Sequence, residues 1–148
     1  MEFSSTPRAI DVLLARYAER HRNPVNELIH VVCIPAIVFS LLGILWALHP
    51  VLALAVVAAA LVYYMKLSRP FALGMAAMAA VMLVLLSLLP EGTVLVTSIG
   101  VFVLAWIGQF IGHHIEGKKP SFFDDLRFLL IGPLFVLSFL YRRMRVVY

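Results

Sequence analysis

The chain has 148 residues, of which 63% are hydrophobic and 14% are charged, and its formal net charge is +4. Because soluble globular domains carry about 25% charged residues, this composition excludes a soluble protein and makes the lipid bilayer, rather than nucleic acid, the expected partner. At ~20 residues for each membrane-spanning helix, the length predicts a single domain over residues 1–148 with room for a handful of helices.

Residues 1–22 carry charges throughout and lack an apolar core, so we expect no cleavable signal peptide. Apolar side chains nevertheless recur there at helical spacing, at Ile10, Leu13, Leu14 and Tyr17. The pattern predicts an amphipathic helix over residues 7–19. This helix either lies on the membrane surface or packs against the rest of the domain.

Four apolar stretches follow within residues 24–112, and we interpret them as transmembrane helices. Asn23 and Pro24 begin the first, because asparagine caps helices well and proline is favoured at the first helical position. Polar or helix-breaking residues separate the stretches at 49–50, 66–70 and 90–92. The predicted spans are residues 31–48, 51–65, 71–89 and 94–112.

Residues 113–148 consist of a polar loop and a last apolar stretch, residues 126–141. This stretch has only sixteen residues, contains Gly132 and Pro133, and precedes three arginines. If it does not cross, all twelve Lys and Arg residues lie on one side, which the positive-inside rule assigns to the cytoplasm. We therefore favour a re-entrant or interfacial helix over a fifth span. The predicted fold is an all-α membrane bundle of four transmembrane helices with an amphipathic helix before them and this short helix after them.

Four of the five histidines form two pairs, His21 with His30 and His113 with His114, separated by about eighty mostly apolar residues. An even number of spans returns the chain to its starting side, so we expect both pairs at one membrane face. That face is predicted to be cytoplasmic, in the inner membrane of a bacterium or the endoplasmic reticulum of a eukaryote. His49 ends the first span at the opposite face, and we interpret it as structural.

The two pairs can share a site only if the helices are interrupted. On one unbroken helix His21 and His30 would lie on opposite faces and ~13 Å apart along the axis, but the break at Asn23 and Pro24 lets His21 fold back toward His30. His113 and His114 point ~100° apart on a regular helix. His114 is therefore expected to join His113 only where the helix is ending.

Other polar residues accompany the histidines. Asn26 and Gln109 each precede a histidine by four residues, so each amide shares a helix face with an imidazole. Such an amide either fixes the tautomer of the ring or binds substrate. Glu116, Lys118 and Lys119 follow the second pair. The two lysines either anchor the chain at the positive side of the membrane or attract an anionic substrate.

A single histidine at a membrane interface is usually a hydrogen-bonding residue rather than a metal ligand. Two pairs that meet at one face favour a shared metal site instead. Neutral imidazoles suit iron, zinc and copper, and three or four of them with an open position are typical of a redox or Lewis-acid centre. The residues themselves leave the identity of the metal open.

In two runs the chain resembles the 2-hydroxy fatty acid dioxygenase family, a group of small multi-span proteins. The runs are HRNPVNELIH over residues 21–30, followed by Pro35, and WIGQFIGH over residues 106–113, followed by Glu116 and by KKP at 118–120. The resemblance extends over nearly the whole chain. It implies an enzyme that uses Fe(II) and O2 to shorten long-chain 2-hydroxy fatty acids by one carbon, in the α-oxidation branch of phytosphingosine breakdown.

By the same resemblance His21, His30 and His113 are expected to be iron ligands and catalytic residues, with His114 as a fourth ligand. Asn26, Gln109, Glu116, Lys118 and Lys119 are expected nearby, in contact with substrate or with the ligands.

Two other classes of function remain open on the sequence. One is a haem electron-transfer protein in which two histidines on facing helices bind the iron axially. The other is a non-catalytic scaffold or lipid-binding protein whose histidines only form hydrogen bonds. An absorption spectrum identifies the first, and absence of bound metal favours the second.

Overall fold

The computed structural model describes residues 6–117 and 128–148. The predicted roles of Lys118 and Lys119 lie outside these residues. Within them the chain forms six helices and no strand, so the predicted all-α class is confirmed. The helices are α1 (Ala9–Glu19), α2 (Pro24–Leu48), α3 (Pro50–Leu67), α4 (Arg69–Leu88), α5 (Val94–Glu116) and α6 (Ile131–Met144).

Four of these helices are long and apolar enough to cross a membrane, as the sequence predicts: α2, α3, α4 and α5, with 25, 18, 20 and 23 residues. Helix α5 extends beyond the predicted end at Gly112. It stops at Gly117, whose φ of 75° is a left-handed conformation that glycine adopts without strain. The side of the membrane at which each helix ends stays a prediction.

Helix starts follow local sequence signals. The Asn23 side chain accepts a hydrogen bond from the backbone N–H of Val25, and Pro24 opens α2. His49 does the same for α3, where its Nδ1 accepts a hydrogen bond from Val51 N–H. His49 is exposed at the far end of α2, so the structure supports its interpretation as a structural residue.

Helices α2 and α5 run antiparallel and make the most extensive helix-to-helix contact in the described part of the chain. Small residues allow the two backbones to approach closely. A Cβ atom added to Gly108 would lie 2.5 Å from Cys33 Sγ, and one added to Gly43 would lie 2.9 Å from the Cβ of Ser98. The Ala-rich α3 and α4 turn much of their surface outward. The closest packing is therefore between the first and fourth long helices.

Helix α1 packs against α6, with Ile10 and Tyr17 buried in a shared apolar cluster. Of the two alternatives for this amphipathic helix, the structure shows the one in which it packs on the domain. The cluster also receives Ile34 from α2 and Phe71 from α4. The two helices outside the four long ones therefore form part of one core.

Helix α6 is shorter than a membrane span. Its 14 residues extend ~21 Å, against ~30 Å for the hydrocarbon core of a bilayer. Its first five residues, 131–135, are all buried, and it contacts α1, α2 and α4. Within the described residues this helix is therefore shorter than a fifth span would need to be. It is a short helix packed into one end of the bundle.

We predict that Gly112→Ala separates α2 from α5 and destabilises the protein. The new Cβ would overlap the side-chain oxygen of Asn26 and lie 3.4 Å from His30 Cε1. Both neighbours are almost fully buried, so the expected loss is ~1–3 kcal/mol of unfolding free energy. Thermal unfolding in detergent, followed by circular dichroism, measures it.

Gly100→Ala is the matched control on the same helix, because a Cβ there meets nothing within 4 Å. Replacing this helical glycine is expected to stabilise the protein by ~0.5–1 kcal/mol. Equal effects of the two substitutions would contradict the close α2–α5 packing.

Candidate functional site

Three histidine rings meet where α2 begins and α5 ends. The ring centroids of His21 and His30 are 4.3 Å apart, those of His30 and His113 are 5.3 Å apart, and those of His21 and His113 are 6.3 Å apart. All three side chains are buried, with His30 only 2% exposed. The two histidine pairs that are far apart in sequence therefore contribute to one cluster, here called the histidine cluster.

His21 enters the cluster from the turn between α1 and α2. Its Nδ1 lies 2.8 Å from the carbonyl oxygen of Tyr17, in the last turn of α1. The Tyr17 ring stacks on the His21 ring at 4.2 Å, with 8° between the planes. The helix break before Pro24 lets His21 fold back in this way, as the sequence suggested.

His30 is held by the same kind of contact, because its Nδ1 lies 2.8 Å from the carbonyl oxygen of Asn26. A carbonyl oxygen can only accept a hydrogen bond, so Nδ1 is the donor in both His21 and His30. In the neutral ring the lone pair then lies on Nε2. The local helix geometry thus selects the tautomer that presents Nε2 as a base or a metal ligand.

The Glu116 carboxylate joins the end of α5 to the start of α2. It accepts hydrogen bonds from the backbone N–H groups of Arg22 at 2.9 Å and Asn23 at 3.0 Å, and from the Asn26 amide at 3.0 Å. The N–H groups before a helix have no partner within it, and the positive end of the helix favours an anion there. Glu116 therefore positions the segment that carries His21 and His30.

The two amides have different surroundings. The Asn26 side chain is fully buried and donates to Glu116, while the backbone of Asn26, not its amide, fixes the tautomer of His30. Gln109 is 4% exposed and lines a cavity together with His30. Gln109 is thus the amide placed to face a ligand.

His114 does not join the other three histidines. Helix α5 continues as a regular helix through Glu116, so neighbouring side chains stay ~100° apart around its axis. His113 is buried, whereas His114 is exposed. The expectation that His114 supplies a fourth ligand depended on an earlier helix end, and the structure does not provide one.

A cavity of about 380 Å3, including its mouth, opens beside the histidine cluster. We call it the histidine cavity. It is lined by His30 and Gln109 and by Tyr17, Ile34, Ile37, Trp106, Phe128, Leu129 and Gly132.

Sequence reasoning placed Tyr17 on the apolar face of an amphipathic helix and missed its place in this cavity. For Tyr17 a signal existed, because it precedes His21 by four residues, the spacing that brings two side chains together on a helix face. Phe128 carries no such signal, because it follows Tyr17 and His21 by more than one hundred residues. Tyr17 and Phe128 meet edge-on at 5.6 Å.

Three buried imidazoles are a suitable donor set for a first-row metal. Among residues 6–117 and 128–148, however, no three His, Cys, Asp or Glu side chains have their donor atoms placed to hold an ion. Imidazole nitrogens bind such ions at ~2.0–2.1 Å. Rotation about the side-chain bonds would be needed to turn the donor nitrogens of the three rings toward one ion.

Comparison with known proteins assigns the chain to a family. The family model described as "2-hydroxy-palmitic acid dioxygenase Mpo1-like" matches residues 8–144. The chain is 34% identical over 140 residues to the 2-hydroxy-palmitic acid dioxygenase MPO1 of Saccharomyces cerevisiae, which covers 87% of this chain and 78% of that protein. No solved structure matches.

We predict that Glu116→Gln weakens the junction between α5 and α2. The amide of glutamine brings donors to a place where three N–H groups already point, so the expected loss is ~1–2 kcal/mol of unfolding free energy. Glu91→Gln, in the exposed turn before α5, is the matched control. Urea unfolding in detergent measures both, and a loss no larger than that of the control would contradict the role of Glu116.

Proposed function

The chain belongs to the 2-hydroxy-palmitic acid dioxygenase Mpo1-like family, and from this premise we propose that it is an Fe(II)-dependent dioxygenase of long-chain 2-hydroxy fatty acids. In the proposed reaction O2 is consumed and the bond between C1 and C2 is cleaved. C2 becomes the carboxyl carbon of the fatty acid one carbon shorter, C1 leaves as CO2, and one molecule of water is formed. Membership of the family supports a role in 2-hydroxy fatty acid oxidation. The meeting of His21, His30 and His113 beside a mostly apolar cavity is the observation that supports the metal-dependent form of this proposal.

The three imidazoles are the groups that would hold the metal. Fe(II) bound there would supply Lewis-acid and redox chemistry toward O2 and a hydroxy-carboxylate. The carbonyls of Tyr17 and Asn26 keep two of the rings in the tautomer that presents Nε2. Fixing the ring in this way also raises the basicity of the ligand nitrogen.

The cavity offers the substrate a polar side and an apolar side. Gln109 and His30 offer polar groups at one side, and Gln109 can donate a hydrogen bond to a carboxylate or hydroxyl oxygen. Ile34, Ile37 and Trp106 line the rest with apolar surface, which suits an acyl chain and keeps water away from the reacting carbons. A fatty acid dissolved in the bilayer can reach such a site without passing through water.

We predict that purified protein supplied with Fe(II) and O2 converts 2-hydroxypalmitic acid to the acid one carbon shorter. No 2-oxoglutarate is expected to be needed, because the substrate carries its own hydroxy-carboxylate. Oxygen consumption and mass spectrometry of the product measure the reaction. Iron-loaded, folded protein that consumes no O2 across a range of 2-hydroxy acids would contradict the proposed activity. An absorption spectrum with a haem band would point to the electron-transfer alternative.

Alanine substitution of His21, His30 or His113 is predicted to lower bound iron and activity by more than about tenfold, because each removes a proposed ligand. His114→Ala and His49→Ala are the controls, since the first is exposed on α5 and the second caps α3 far from the cluster. Metal analysis of protein purified without chelators or affinity-column metal gives the iron content. If all five variants, still folded, keep the iron of the wild type, the histidines are structural.

A further inference from the structure

A second cavity adjoins the histidine cavity. It lies between α2, α3 and α4, has almost entirely apolar walls, and has a volume of about 630 Å3 with its open side included. We call it the apolar cavity. The two cavities share Leu129 in their walls, so this side chain is the partition between them.

Both cavities follow the same helix. Along α2, Ile34 and Ile37 line the histidine cavity, and the apolar cavity continues from Val38 to Leu45. From His30 to Leu45 the helix axis covers ~22 Å. The acyl chains of one membrane leaflet occupy ~15 Å, half of the ~30 Å hydrocarbon core. The two cavities together are therefore long enough to hold a long-chain acyl group. Of the two, the histidine cavity has the smaller volume.

Hydrogen bonds hold the backbone both before and after Leu129. Leu129 belongs to a turn in which the Phe128 carbonyl accepts a hydrogen bond from Gly132 N–H at 2.7 Å. On the other side, the buried Tyr64 hydroxyl of α3 donates to the Leu130 carbonyl at 2.8 Å. The backbone on either side of Leu129 is thus held by hydrogen bonds. Passage between the two cavities would therefore require a change in the Leu129 side chain and not in a helix.

A third, wider groove lies between α2, α4 and α6 and is the alternative path for an acyl chain. Its volume is about 1420 Å3 with its open side included. It shares Pro133 with the apolar cavity but has no wall residue in common with the histidine cavity. An acyl chain whose head is at His30 therefore meets the apolar cavity first.

We propose that the apolar cavity is the acyl subsite of the enzyme, entered from the histidine cavity past Leu129, and that its walls set the longest chain accepted. This inference rests on the proposed function, whose substrate it locates. Ala60 of α3 is a small wall residue at which added volume would shorten the subsite. Ala77 of α4 is the corresponding small wall residue of the wider groove.

Photo-crosslinking tests the path in the wild-type protein, independently of turnover. The probe is 2-hydroxypalmitic acid with a diazirine near its methyl end, added to the full chain in detergent with and without excess unlabelled 2-hydroxypalmitic acid. Crosslinks that the unlabelled acid removes are expected on peptides containing Leu41, Leu45 or Val57. Competed crosslinks on Ala77, Val81 or Leu140 of the wider groove, or no competed crosslink, would overturn the proposal.

A pair of variants tests the specificity. Ala60→Phe is expected to lower the ratio of kcat/KM for 2-hydroxypalmitic acid to that for 2-hydroxyoctanoic acid by about tenfold or more, because the distal methylenes lose their apolar surroundings. Ala77→Phe is expected to leave this ratio unchanged. Turnover of the shorter acid shows that the Ala60→Phe protein is folded. Leu129→Ala, which widens the opening, is expected to raise the same ratio.

The outcomes separate the two proposals. If wild-type protein oxidises neither acid, the proposed function fails, and the crosslinks still report where the acyl chain binds. If wild-type protein oxidises both acids but Ala60→Phe and Ala77→Phe change the ratio equally, the acyl subsite is elsewhere and the proposed function stands.

Discussion

The close approach of α2 and α5 is the constraint on which the site depends. Glycines on α5 allow the α2 backbone to lie near enough for His30 and His113 to meet, and Gly112 sits directly against Asn26 and His30. The antiparallel direction of the two helices brings the first turns of α2 to the last turns of α5. Glu116 then closes this end by accepting three hydrogen bonds from the start of α2. Packing and hydrogen bonding thus act on the same few residues.

The site combines polar and apolar parts in a way that a membrane protein can sustain. Buried polar groups are costly unless they have partners. Here the imidazoles of His21 and His30 use backbone carbonyls, while Asn26 and Glu116 use each other. The polar groups gather at one end of the bundle, and the cavities that continue from it along α2 are apolar. A head group with oxygen atoms and a hydrocarbon tail would each find a matching surface.

Much of this arrangement could be predicted from the sequence, because it depends on counting and periodicity. The hydrophobic stretches gave the four long helices, and their even number placed His21 and His30 beside His113. Asn23 and Pro24 marked the break that lets His21 fold back. Other features depend on contacts between distant residues, which a single sequence does not specify. This group has three members: the hydrogen bonds that Glu116 accepts at the start of α2, the burial of α1 against α6, and the place of Phe128 in the cavity wall. His114 was misjudged because the exact turn at which a helix ends decides which way a side chain points.

The central claim is that His21, His30 and His113 bind iron together. X-ray absorption spectroscopy of iron-loaded protein at the iron edge tests it most directly, because imidazole ligands give a characteristic multiple-scattering pattern. The account predicts a non-haem iron with three imidazoles in the wild type and with two in His113→Gln, while His114→Gln keeps three. A spectrum without imidazole scattering, or one in which His113→Gln is identical to the wild type, would contradict the shared iron site.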